Sequence, residues 1–221
     1  MKKITIFYLF FLMLISCKEH QKQNIVEQTN STLQLYNDIL IDYVENFGYW
    51  RYLGDKGIDA TFEVTDSMQR IKRKLYFHNQ VFKNIELQET VFLIDTLTNN
   101  DFRGSYVFVG SNSLESICKS MNVNPQIASD SIKQPSIKFK ANEFKSFTFK
   151  IKSISEFKVK ENYTGIGIIS FSKVFLNSRK DEGILYCSFY CGGLCGKGAI
   201  LKIKKNKNHW KIISCQTTWI S

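Results

Sequence analysis

The cysteines are the residues whose type and spacing could do chemistry. The chain has six of them, and Cys187, Cys191 and Cys195 form a C-x3-C-x3-C run between Cys118 and Cys215. A thiolate can act as a nucleophile, bind a metal or pair in a disulfide. The spacing differs from the C-x2-C pairs of zinc ribbons, and on an extended strand Cys187 would lie roughly 13 Å from Cys191. We therefore expect no metal site and no cofactor.

The Cys191–Cys195 pair predicts a structural disulfide across a hairpin. Gly192-Gly193 between them can supply the positive φ of a tight reversal. This reversal would place Cys191 directly opposite Cys195, where Cα atoms lie about 4.5–5.5 Å apart, within disulfide reach. Gly196 and Gly198 predict a bulge on the outgoing strand.

Two catalytic alternatives also involve cysteine. A cysteine nucleophile would need a histidine ring within about 3 Å of the thiolate, and His78 and His209 are the candidates. The Cys191–Cys195 pair could instead be redox-active. The sequence has no G-x-S-x-G, H-E-x-x-H, P-loop or dinucleotide-binding motif, so other common catalytic sites are not indicated.

An aromatic cluster is the other candidate site. Tyr49, Trp50 and Tyr52 surround Arg51. Aromatic faces beside a cation could bind a sugar or a peptide. The alternative is that these side chains form core between a helix end and a sheet.

The first seventeen residues have the three parts of an export signal. Lys2 and Lys3 give a positive start, and Ile4–Ile15 is an apolar run too short to cross a hydrocarbon core of about 30 Å. The run ends in Leu14-Ile15-Ser16-Cys17. This stretch resembles the bacterial lipoprotein signal, in which a lipobox is cut before its cysteine. The resemblance implies a diacylglycerol on the Cys17 thiol and usually an acyl group on its new amine.

This signal predicts the organisation and the location of the chain. We expect a signal peptide over 1–16, a lipidated tether over 17–30 and one domain over 31–221. The protein would be a membrane-anchored lipoprotein of the cell envelope, on the periplasmic face or at the cell surface. Cysteine pairing is expected in that oxidising location. Export argues against a nucleic-acid partner despite the net charge of +10.

Hydrophobic periodicity predicts helices in the first half of the domain. A first helix starts near Ser31 and stops at Gly48, and a second starts at Ser67. Asn112 with Glu115 predicts a short helix through Met121. The apolar stripe of the first helix is Leu33, Tyr36, Leu40, Tyr43, Val44 and Phe47, and that of the second is Met68, Ile71, Leu75 and Phe82.

Alternating residues predict strands elsewhere. These cover 85–93, 106–109, 147–152, 166–176, 184–190, 199–205 and 209–219, with a slip at Ser153-Ile154 and a polar loop over Val123–Gln134. Short connections make consecutive strands antiparallel. The fold class is α+β, with an N-terminal helix or helices packed on a curved, mainly antiparallel meandering sheet.

The C-terminal part resembles a group of uncharacterised bacterial lipoproteins. The matching segments are Ile169–Asn177 (ISFSKVFLN), Cys191–Gly198 (CGGLCGKG) and Trp210-Lys211-Ile212. The layout is more weakly similar to cystatin-like and nuclear-transport-factor-like scaffolds. Those scaffolds serve as enzymes, ligand binders and assembly domains, so the resemblance implies a fold and no activity.

Together these patterns favour a lipid-anchored binding or assembly module over an enzyme. Its partners would be the membrane, through the anchor, and a protein or glycan ligand. The alternative is an extracytoplasmic enzyme that uses a cysteine nucleophile or the Cys191–Cys195 pair.

We predict that Cys17→Ser removes the protein from the membrane fraction or stops its processing, because acyl chains would provide the attachment. Two or three chains hold a protein stably, at about 0.8 kcal/mol per buried methylene. Fractionation and intact-mass measurement check this. A Cys17→Ser protein that is processed and stays wholly with membranes contradicts it.

Overall fold

The computed structural model describes residues 30–47, 67–93, 112–134, 139–157, 165–192 and 195–220. The chain divides within its first helix into a segment Met1–Tyr36 and a compact unit Asn37–Ser221. The predicted signal peptide, the tether residues before 30 and the predicted strand 106–109 lie outside the described residues.

The described part contains four α-helices. They are α1 (residues 30–46), α2 (Ser67–Lys83), α3 (Asn112–Met121) and α4 (Pro125–Ile132). The first three confirm the predicted helices. In the predicted stripe of α1, Tyr36, Leu40, Tyr43 and Val44 are buried, and Leu33 and Phe47 are half-buried.

Helix α4 corrects the prediction of a polar loop over Val123–Gln134. The Asn124 side-chain oxygen accepts the N–H groups of Gln126 (2.8 Å) and Ile127 (3.2 Å), which satisfies donors at the helix start. Pro125 occupies the first turn, where its fixed φ and missing N–H suit a helix. The Asn-Pro pair was therefore a helix-start signal, although it also fits a turn.

Seven strands form one sheet, and the fold class α+β is confirmed. The strands are β1 (Thr90–Leu93), β2 (Lys150–Ser153), β3 (Gly167–Phe171), β4 (Phe175–Leu176), β5 (Glu182–Gly192), β6 (Cys195–Asn206) and β7 (His209–Ile220). The sheet order is β2-β1-β3-β5-β6-β7, and β4 pairs with β5. Pairing is antiparallel except for β1, which lies parallel to both β2 and β3.

Three predicted strands are shorter than expected, and one of them, predicted over 147–152, begins only at Lys150. The predicted strand 85–93 begins instead with a 3-10 turn, Ile85–Leu87, capped by the Asn84 side chain, and only β1 is extended. The predicted strand 166–176 is divided into β3 and β4 around Ser172, which exchanges backbone and side-chain hydrogen bonds with Tyr186. The predicted slip at Ser153-Ile154 is confirmed, because β2 ends there in a 3-10 turn.

Helices cover both faces of the sheet. Side chains alternate along β5, so Phe189 and Tyr186 lie on opposite faces. Tyr43 of α1 packs against Phe189, with ring centroids 6.2 Å apart. The other face carries α3 and α4, whose buried residues form one cluster with the sheet: Leu114, Ile117, Cys118, Met121, Ala128, Ile132, Ile184, Tyr186 and Ile200.

A glycine permits close packing across β6. The Trp219 indole N–H on β7 donates to the Tyr186 hydroxyl on β5 over 2.6 Å, passing above Gly198 on the strand between them. A Cβ atom at position 198 would overlap both the indole nitrogen and the hydroxyl. The glycine is thus needed for this bond between alternate strands.

The predicted apolar stripe of α2 faces solvent where its side chains are described. Met68, Ile71 and Leu75 are 60%, 54% and 58% exposed, and the side chain of Phe82 lies outside the described part of the chain. Helical spacing in the sequence identified the stripe but not what it contacts. Among the described segments, no helix combines the length and apolar character needed to cross a membrane.

Candidate functional site

A groove of about 540 Å³ lies between helix α1 and the β6–β7 hairpin. Its helical side consists of Asp38, Ile41, Asp42 and Glu45, which share one helix face because they are spaced at i, i+3, i+4 and i+7. Its other side is the turn of the hairpin, where Lys207 adopts the left-handed conformation, with φ of 54°. The lining residues are Asp38, Ile41, Asp42, Glu45, Asn206, Lys207, His209, Trp210 and Lys211.

Two carboxylates of α1 join the helix to strand β7. Asp38 Oδ2 accepts the Trp210 backbone N–H over 2.9 Å, and Asp42 Oδ2 accepts that of Ile212 over 2.7 Å. A hydrogen bond to a carboxylate is charge-assisted, and because Asp42 is buried this bond is also shielded from water. These bonds fix the distance between the two sides of the groove.

The remaining carboxylate oxygens face cationic and polar groups. Asp38 Oδ1 lies 3.4 Å from His209 Nδ1. Asp42 Oδ1 accepts a bond from the Asn46 amide over 2.5 Å and lies 3.8 Å from Lys211 Nζ. The ring of His209 and the ammonium group of Lys211 are largely exposed, so solvent reaches both.

Glu45 ends the row of acids and contacts two further parts of the chain. Its Oε1 accepts the Thr148 hydroxyl over 2.8 Å, and its Oε2 lies 3.8 Å from Nε2 of His78 on α2. The groove therefore has acids on the helix and exposed cations on the hairpin. Such a surface can bind a ligand that carries both signs of charge.

The groove lining holds no hydroxyl or thiol nucleophile. None of its nine residues is Ser, Thr or Cys, so the His209–Asp38 pair has no such group beside it in the lining. Within the described residues, no three His, Cys, Asp or Glu side chains are placed to hold one metal ion.

The predicted disulfide Cys191–Cys195 is present, with Cα atoms 5.1 Å apart. Its register corrects the prediction, because Gly192 pairs with Cys195 and the bulge lies at Cys191 on the incoming strand. Gly192 has φ of 95°, the positive value expected for the reversal. In the β5–β6 pairing the extra residue therefore falls before the turn and not at Gly196 or Gly198, and the register shift beside Gly198 belongs to its pairing with β7.

The free cysteines of the described part lie at Cys118, Cys187 and Cys215. Burial raises the pKa of the Cys118 thiol, which packs in the core between α3 and the sheet. Burial, and secondarily the nearby Cys215, raises the pKa of Cys187 well above its usual range. Burial also raises the pKa of Cys215. All three are poor nucleophiles, since only the thiolate reacts.

A cation lies close to the buried thiols without making them reactive. Lys197 Nζ donates to the Phe47 carbonyl over 3.2 Å and lies 5.6 Å from the centre of the Tyr43 ring. Its charge lowers the pKa of Cys187 and Cys215, but burial outweighs this effect. Burial likewise raises the pKa of the Tyr43 hydroxyl far above its usual range.

The other predicted site residues lie outside the described residues. These are the lipidation residue Cys17 and the aromatic cluster Tyr49, Trp50, Arg51 and Tyr52. Sequence reasoning missed the groove acids Asp38, Asp42 and Glu45. Their i, i+4, i+7 spacing was visible, but acids at this spacing also suit a solvent-facing helix surface.

Comparison with known proteins gives no family for this chain. No protein-family model matches it, and neither does any curated protein or solved structure.

We predict that native Cys118 and Cys187 resist alkylation at neutral pH and that Cys215 reacts slowly. Each unit by which a pKa rises lowers the thiolate fraction at neutral pH about tenfold, and burial also blocks access. Raising the pH should speed the reaction of Cys215. Mass spectrometry after alkylation in the native and unfolded states checks this, and fast native labelling of Cys118 or Cys187 contradicts it.

Proposed function

We propose that this protein is a lipid-anchored binding module of the bacterial cell envelope. The groove between α1 and the β6–β7 hairpin would bind a segment of another protein that carries both acidic and basic groups. The signal sequence, with its lipobox at Cys17, supports the anchor. The groove's opposed acidic and cationic walls are the observation that carries the binding role.

The state of the cysteines supports binding over cysteine catalysis. The thiols of Cys118, Cys187 and Cys215 are buried or half-buried, with pKa values raised by burial. The Cys191–Cys195 pair is joined at the tip of a hairpin, where it can hold the register of β5 and β6. A nucleophile would need the opposite conditions, exposure and a lowered pKa.

The proposed anchor also sets how far the module reaches. Residues 18–29 separate Cys17 from the start of α1, and fully extended they would span about 40 Å. The start of α1 would therefore lie within that distance of the membrane. A membrane or envelope protein fits this position.

The test compares the proteins that copurify with tagged full-length wild type and with a Lys207→Glu/Lys211→Gln variant after mild crosslinking of cells. Both lysines line the groove, and changing their charge should lower the yield of the true partner about tenfold, because complementary charges steer and hold the complex. Quantitative mass spectrometry of the captured proteins measures the yield. Thermal unfolding confirms that the variant is folded.

Lys150→Glu is the matched control, since Lys150 is an exposed strand lysine on β2, at the other edge of the sheet. It should leave the partner yield unchanged. Identical partner profiles for wild type and the groove variant, or an equal loss with the control, would show that the groove is not the binding site.

A further inference from the structure

Helix α2 exposes a row of large apolar side chains. Ile71 and Leu75 lie one turn apart, and Tyr76 follows next to them; they are 54%, 58% and 68% exposed. Ile85, in the 3-10 turn just after the helix, is 67% exposed. We call these four residues the α2 surface. Contiguous exposed apolar side chains mark an interaction site more often than scattered ones do.

A loop near the end of α2 also exposes an aromatic side chain. The Gln88 side-chain amide donates to the Phe147 carbonyl over 2.9 Å, which places the Phe147 backbone beside the segment that follows α2. The Phe147 side chain is 76% exposed.

The charge of α2 has one sign. The helix contains no Asp or Glu, and its basic residues include Lys72 and Lys83, both exposed; the full basic set is Arg70, Lys72, Arg73, Lys74 and Lys83. Exposed apolar residues on a helix rich in Lys and Arg are the pattern of helices that lie in the membrane interface. Anionic lipid headgroups carry the opposite charge, and because lipids diffuse in the bilayer they can move to positions beside the basic side chains.

We propose that α2 is a second membrane contact, which lies flat on an anionic bilayer with Ile71 and Leu75 in the boundary between headgroups and acyl chains and Lys72 beside them at the headgroups. This contact goes beyond the proposed anchor at Cys17 and does not depend on it. Stable attachment commonly combines a lipid with a basic surface. With both, the domain would rest on the membrane in one orientation.

The test places the photo-crosslinker p-benzoylphenylalanine at position 75 of the full-length protein, reconstituted in phosphatidylglycerol–phosphatidylethanolamine vesicles. Position 127 is the matched control. Ile127 is 59% exposed, close to the 58% of Leu75, and lies on α4, which has an Asp and no Lys or Arg. We expect several-fold more lipid adduct from position 75 than from position 127.

Charge dependence gives a second readout. Phosphatidylcholine vesicles should lower the adduct yield at position 75, and Lys72→Glu should lower it by at least about fivefold. The proposal is overturned if positions 75 and 127 give equal yields of lipid adduct. It is also overturned if the yield at position 75 changes neither with lipid charge nor with Lys72→Glu. Adducts formed mainly with a second copy of the chain would also overturn it.

The same samples separate this proposal from the proposed anchor. The mass of the N-terminal peptide reports whether Cys17 is acylated, whereas the adduct at position 75 reports the contact of α2. The result for α2 can thus be read whether or not the anchor is present.

Discussion

Two hydrogen bonds from backbone N–H groups of β7 to carboxylates of α1 determine much of this structure. β7 is the outermost strand on its side of the described sheet, so its second edge needs partners for its N–H groups. Asp38 and Asp42 stand one helical turn apart, a rise of about 6 Å, and Trp210 and Ile212 lie two strand residues apart, about 6.8 Å. This match lets the helix run along the strand and accept both N–H groups.

The same helix also holds parts of the chain distant from β7. Glu45 accepts the Thr148 hydroxyl and lies near His78 of α2, while Asn37 accepts the Lys145 N–H over 2.7 Å. α1 is therefore a junction between the hairpin, the loop before β2 and helix α2. The groove follows from this arrangement, because the carboxylates hold helix and hairpin apart at a fixed distance while their remaining oxygens face His209 and Lys211.

Local patterns predicted the fold class, three helices and the disulfide, because caps, periodicity and glycine act over a few residues. They missed β1 lying parallel between β2 and β3, since that pairing depends on contacts distant in sequence. They identified Ile71 and Leu75 as part of one helix stripe but not that the stripe faces solvent, because helical spacing does not show which face is covered. The groove was missed because it depends on contacts distant in sequence. Asp38 and Asp42 accept hydrogen bonds from backbone groups of residues about 170 positions away.

Hydrogen exchange at the β7 edge tests the role of these carboxylates most directly. In an Asp38→Ala/Asp42→Ala variant, the Trp210 and Ile212 amides should exchange about tenfold faster or more, because a lost charged acceptor costs about 1–3 kcal/mol. Amides between β5 and β6 should change much less, and Asp130→Ala, at an exposed position of α4, should change none of them. Unchanged protection of Trp210 and Ile212 in the double variant would contradict the role of α1 as the cap of this edge.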